Sequence, residues 1–256
     1  MMKKKILTIC LVVALLATAV GGTLAYFTDD DAQKNTFTTG NVAIDLWEDF
    51  GDNDALGIEE LIPAVGSAQN GTLKNGVEKE VYVTNDGSED AYVRVHIAIP
   101  TQLDDGDPSF DASKNILHFN YTPESVVDGK WNWSKTVDGT TGSNWNSYTT
   151  TIDGVSYNVY VVTYETALKT GETTVDAMSQ VYLDSKVTNA DVTRLKAALG
   201  EEWKIYVVAE GAQAAGFNDA YEALNEAFGD PAEAEGQVTE AEFKAAYENR
   251  TWINND

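Results

Sequence analysis

From residue 36 to residue 187 the chain repeats one device: a short run suited to a strand, usually closed by a turn rich in Gly, Asn or Asp. Side chains of a strand point to opposite faces in turn, so an alternating run buries one face and wets the other. Residues 36–47 set the pattern, with Val42, Ile44 and Leu46 on one side and Asn41, Ala43 and Asp45 on the other. Lys79–Thr84 and Ala91–Ile99 follow, separated by Asn85-Asp86-Gly87, and that order predicts a β-hairpin. After a polar loop at 101–115 come Ile116–Tyr121, Lys130–Trp133, Ser147–Ile152, Val155–Glu165 and a further strand within Val175–Val187. Many short strands with frequent turns predict an antiparallel sandwich.

The last quarter changes period. Thr188-Asn189-Ala190-Asp191 has the spacing of a capping box and predicts a helix that stops at Gly200. Trp203–Ala209 reads as a strong strand. Phe217, Tyr221, Leu224 and Phe228 recur at helical spacing up to Gly229, and Thr239-Glu240-Ala241-Glu242 opens a last helix carrying Phe243 and Tyr247. The expected fold is therefore mainly β, an antiparallel jelly-roll-like β-sandwich with appended C-terminal α-helices. Its expected organisation is a leader at 1–25, the sandwich at 26–187, and a last strand and helical part at 188–256 packed on it.

The leader is expected from order alone. Lys3, Lys4 and Lys5 precede an apolar run from Ile6 to Val20, and small residues up to Ala25 close it, as in a secretory signal peptide. The run is shorter than the ~20 residues of a spanning helix. Cleavage between Ala25 and Tyr26 removes Cys10, leaving no cysteine for disulfides, thiol catalysis or thiolate metal sites. It also removes three lysines and no acids, taking the formal charge from −24 to −27. Such a charge argues against nucleic acid and against an anionic membrane surface, since both recruit clustered Lys and Arg. No second long apolar run follows, so no C-terminal anchor is expected.

Gly21-Gly22-Thr23-Leu24-Ala25-Tyr26-Phe27-Thr28-Asp29, then Asn35-Thr36-Phe37 and Gly40–Leu46, resemble the start of the TasA/camelysin family. The stretch V-T-N-D-G-S-E-D-A-Y-V-R-V, residues 83–95, is similar to part of the same family's sandwich. The resemblance implies a secreted protein of Gram-positive bacteria, processed after Ala25 by a SipW-type signal peptidase. It also implies a role in extracellular biofilm fibres, although some relatives are described as metalloproteases.

Enzymatic motifs are scarce. The sequence has two histidines, His96 and His118, and no H-E-x-x-H, G-x-S-x-G, P-loop or G-x-G-x-x-G. The favoured reading is two strand histidines, at the surface or hydrogen-bonded; the sharper one is a zinc pair completed by an acid. Asp49, Asp52 and Asp54, with Glu59 and Glu60, form an acidic loop, and Asp104, Asp105, Asp107 and Asp111 form another. Carboxylates of this kind can wrap Ca²⁺, but neither loop has the register of an EF-hand, and a solvated acidic surface is the plainer reading. Trp131, Trp133 and Trp145, with Tyr121 and Tyr148, read as core aromatics or as a glycan-stacking face.

Taken together, the residues predict no catalytic group and no required cofactor. They predict a secreted structural protein, a subunit or accessory of a matrix or cell-surface fibre. The assembly residues are Phe37, Val42, Ile44 and Leu46, in a strand near a liberated chain end that adds to another copy. The competing expectations are a camelysin-like surface metalloprotease and a module that binds glycans or a host surface.

Overall fold

Val77–Asn85 and Ala91–Pro100 organise the molecule, because each turns a row of β-branched side chains into the core, Val77, Val81 and Val83 from the first and Val93, Val95, Ile97 and Ile99 from the second. In the computed structural model the described residues are 41–49, 62–65, 74–104, 116–120, 130–133, 146–201, 203–231, 237–247 and 251–252. They lie in one compact unit, 40–256. The leader, the cleavage site at Ala25 and Tyr26, and Phe37 fall outside the described residues, as do Asp52 and Asp54.

The strands are β1 (Ile44–Asp49), β2 (Val77–Asn85), β3 (Ala91–Pro100), β4 (Leu117–Asn120), β5 (Trp131–Asn132), β6 (Ser147–Ile152), β7 (Val155–Leu168), β8 (Met178–Leu183), β9 (Tyr206–Gln213), β10 (Gln237–Val238) and β11 (Thr251–Trp252). The helices are α1 (Asn189–Leu199), α2 (Ala220–Phe228) and α3 (Glu240–Tyr247). A small sheet has the order β1-β2-β8-β4, and a larger one β10-β6-β7-β3-β9-β11, with β5 also on β7. Pairing is antiparallel except for the short β10–β6 and β11–β9 contacts, which are parallel. The class is mainly β, as expected.

The two sheets share one core. Val77, Val81 and Val83 of β2, with Val181 and Leu183 of β8, join Val93, Val95, Ile97 and Ile99 of β3, with Tyr160 and Val162 of β7. Leu195 of α1 enters the same core. The outer face of the larger sheet is also covered. Phe243 of α3 packs with Tyr157, Tyr206 and Val208, and Ala220, Ala223 and Leu224 of α2 pack with Ala212 of β9. That cover explains why β3 is buried on both faces although its sequence alternates.

Local signals set the helix ends. The Thr188 hydroxyl accepts from the Asp191 N–H while the Asp191 carboxylate accepts from the Thr188 N–H, and Gly200 ends α1 with a positive φ. Thr239 and Glu242 form the same reciprocal pair at α3. Asp219 caps α2. The strand expected at 203–209 begins instead at Tyr206, and Trp203 and Ile205 pack against the main core before it.

The expected hairpin does not form. β2 pairs with β1 and β8, whereas β3 pairs with β7 and β9, so the turn at Asn85-Asp86-Gly87 is an arch that carries the chain from one sheet to the other. An Asn-Asp-Gly turn ends a strand equally well in either geometry. Here each strand buries a face against the other sheet, and that packing decides.

Candidate functional site

The residues expected to mediate assembly lie at the small-sheet edge and just before it. Val42 is buried, Ile44 and Leu46 pack half-buried against the core, and Asp45 and Trp47 face out. β1 pairs with β2 in an unbroken register from Ile44↔Asn85 to Asp49↔Glu80 and stands last in its sheet. Among the described residues no strand lies on its other side. Trp47 stacks on Tyr82 across the strands with ring centroids 6.3 Å apart, and about half of Trp47 remains exposed. On the inner face the buried Lys79 pairs with Glu48. Asp49 is thus a strand residue opposite Glu80.

The arch fixes where this edge begins. Asp86 and Gly87 N–H both donate to the Ala43 carbonyl, and Ser88 and Glu89 N–H both donate to the Asn41 carbonyl, at 2.9–3.2 Å. Gly87 permits the approach: a Cβ there would lie 2.5 Å from the Asn41 carbonyl oxygen and 2.6 Å from the Ala43 nitrogen. Asn85 is the buried pin beneath. Its amide donates to the Leu168 carbonyl at 2.8 Å and to the Glu89 carbonyl at 2.9 Å, and its Oδ1 accepts from the Gly87 N–H at 2.9 Å. One side chain therefore joins β2, the arch and the end of β7.

The histidines occupy separate polar networks. His96, on the outer face of β3, places Nε2 3.2 Å from Glu210 Oε2 and Nδ1 3.3 Å from the Tyr148 hydroxyl. The same Glu210 carboxylate pairs with Arg94, which also donates to Asn225 Oδ1 at 2.9 Å and to the Gly229 carbonyl at 3.1 Å. Arg94, His96 and Glu210 are all nearly inaccessible to water. A buried charge is tolerated only when paired and hydrogen-bonded, so Glu210 balances Arg94, and the pair ties α2 to the sheet. His118 lies on β4 of the other sheet, 3.1 Å from Asp184 and stacked on Tyr182. Neither Arg94 nor Glu210 stood out in the sequence. The one available signal was an arginine alternating with valines in a strand otherwise fit for burial.

The alternative reading, a zinc pair, is not assembled among the described residues. His96 and His118 belong to different sheets, and among the described residues no group of three or more His, Cys, Asp or Glu is placed to hold a metal. Asp104 is drawn inward instead of facing a calcium loop: its carboxylate accepts from the Tyr160 hydroxyl and from Asn158. Trp131 and Trp133 are buried in the main core and Tyr148 in the second, which removes them as a glycan-stacking face; Trp145 and Tyr121 lie outside the described residues.

A second polar cluster surrounds α3. Glu240 accepts from Lys204 at 2.7 Å, from Lys244 at 2.9 Å and from the Tyr206 hydroxyl at 3.1 Å. Hydrogen bonds from Lys204 and then Lys244 bring its carboxyl down to about 2. Burial, followed by the neighbouring Tyr157 and Glu240, pushes the Tyr206 hydroxyl up. Burial likewise raises Tyr221.

The family model described as camelysin metallo-endopeptidase matches residues 1–105. Comparison with curated proteins gives no match. Proteins of this family are exported or surface-associated, and among the described residues no helix is long and apolar enough to cross a membrane. The match runs from the start of the chain through β1, the arch and the whole of β3, and over that region the chain is similar to the TasA/camelysin family.

Proposed function

We propose that the chain is a secreted structural protein, a subunit or accessory of an extracellular matrix or cell-surface fibre, which assembles by strand addition after cleavage between Ala25 and Tyr26. The observation that carries this reading is the position of β1: a six-residue edge strand whose start is fastened to the arch. An unpaired strand edge is a template for another chain. Because Val42, Ile44 and Leu46 already serve the small sheet, residues 26–40 with Phe37 donate, and the β1 edge of the next copy accepts. Such a head-to-tail contact does not close and propagates as a filament.

Repulsion between strongly acidic subunits opposes assembly. Protonation near pH 4 or added Ca²⁺ reduces it, and salt shortens its range to ~10 Å at 0.1 M. The test compares residues 26–256 with residues 41–256 by light scattering and electron microscopy, at neutral pH, at pH 4 and with Ca²⁺. Filaments from the longer chain alone are expected. Single particles from both chains in every buffer refute the reading.

The family's description favours a second reading, a surface metalloprotease. The described residues do not form a zinc donor set, and no catalytic step is assigned to them. Metal analysis of the purified protein, with a proteolysis assay of the His96→Ala/His118→Ala variant, separates the two readings.

A further inference from the structure

We infer that Asn75 is a site of spontaneous deamidation, and that its conversion releases residues 62–65 from the small sheet. Asn75 is the one asparagine among the described residues that is followed by glycine. It is exposed, in the short turn that leads from the bridge at Lys74 into β2, and its φ is 66°. Asn is among the few residues that take up this left-handed conformation readily.

The reaction needs only water. The Gly76 nitrogen attacks the side-chain carbonyl carbon of Asn75 and gives up its proton, ammonia leaves, and a five-membered succinimide ring remains. Water then opens the ring at either carbonyl. Opening at the side-chain carbonyl gives aspartate. Opening at the main-chain carbonyl gives isoaspartate, in which the chain runs through the former side chain. A residue with a Cβ in the next position crowds the attacking nitrogen, and glycine has none. Asn85 is the contrast: it is fully buried, its amide donates to two carbonyls, and Asp86 follows it. The Asn75 amide has one exposed bond to give up, to the Pro63 carbonyl at 3.2 Å, which water replaces at little cost.

Both products lose that donor and add a negative charge. In aspartate the carboxylate takes the place of the amide against the Pro63 carbonyl oxygen. Isoaspartate also lengthens the main chain by one carbon, about 1.5 Å of bond. β2 does not absorb the extra length. Val77 and Glu78 are held in register with Val181 and Gln180, and the Gln180 side chain covers Gly76, where a Cβ would lie 2.6 Å from its Cδ. The slack falls on the other side, on the reciprocal bonds between Lys74 and Val65 at 2.7 and 3.1 Å. Those bonds, with the Ala64 N–H donating to the Leu183 carbonyl at 3.0 Å, fasten residues 62–65, whose Ile62 and Val65 side chains are exposed. The assignment does not depend on the fibre reading.

The experiment incubates the full folded chain at pH 8.5 and 37 °C for several weeks and maps it at intervals by mass spectrometry of tryptic peptides. Cleavage after Lys74 isolates residues 75–79 and separates them from Asn70. Conversion of this peptide to its aspartyl and isoaspartyl forms is expected at least fivefold faster than conversion at any other described asparagine. In the converted protein, amide exchange at Val65 and Lys74 is expected to quicken at least tenfold, with exchange in β3 unchanged. Asn75→Asp supplies one product without incubation and is expected to quicken the same two amides. Asn75→Gln closes the ring far more slowly and is expected to hold its starting exchange rates throughout. An Asn75 that converts no faster than the other described asparagines overturns the assignment. Unchanged exchange at Val65 and Lys74 after conversion, or progressive quickening in Asn75→Gln, overturns the release.

Discussion

Replacing Asn85 by Asp tests the arch with almost no change of shape. The substitution exchanges an NH₂ that donates to two carbonyls, Leu168 at 2.8 Å and Glu89 at 2.9 Å, for an oxygen that cannot donate. Each lost hydrogen bond costs about 1 kcal/mol net, and burying a carboxylate against two unsatisfied carbonyls adds about 1–3 kcal/mol. The sum is about 4 kcal/mol at pH 7, which for a domain of this size lowers Tm by about 8–16 °C. Burial beside carbonyl oxygens raises the new carboxyl's folded-state pKa above its unfolded value of ~3.9. The penalty is therefore full above the folded pKa and shrinks as pH falls through it, because the neutral acid again donates one bond. Urea denaturation of both proteins at pH 7, 5.5 and 4.5 reads this out. A difference below about 0.5 kcal/mol at pH 7, or a penalty that does not change with pH, refutes the claim that this side chain pins the sheets together.

Three further outcomes follow from the same contacts. Gly87→Ala forces a methyl group into the Asn41 carbonyl and the Ala43 nitrogen; amide exchange at Asp86–Glu89 is expected to quicken at least tenfold, with a lowered melting temperature. Glu210→Ala leaves Arg94 buried without its counter-charge and is expected to cost about 3–5 kcal/mol in urea titration, with exchange quickening first in α2. Glu240 has a folded-state pKa lowered to about 2 from an ordinary 4.5. Its contribution is thus complete above about 4.5 and lost as pH falls toward 2; amide protection in α3 is expected to decline across that window, and Glu240→Gln to remove the decline.

What could be read in advance follows from the range of the forces involved. Thr188 with Asp191, and Thr239 with Glu242, satisfy helix-end donors within four residues, so the sequence carries those starts openly. Val42, Ile44 and Leu46 show their buried side by alternation alone. The Asn85-Asp86-Gly87 turn could not be resolved in that way, since hairpin and arch use the same local chemistry and differ only in which distant strand each arm meets. The sites were harder still. Arg94 and Glu210 are 116 positions apart, and nothing local marks them as partners. His96 and His118 looked equivalent in sequence, yet they sit on different sheets and face different acids.

The fastening at Gly87 also has a mechanical meaning. If fibres are drawn taut through the leading end of each subunit, the load enters at Asn41 and reaches the clustered bonds of residues 86–89 before it reaches β1. Tension would test a small knot beside the corner, backed by the Asn85 pin, while the body of the sandwich stays unstressed. Joined in series, such knots would give a thread a defined yield point without any covalent cross-link between its beads.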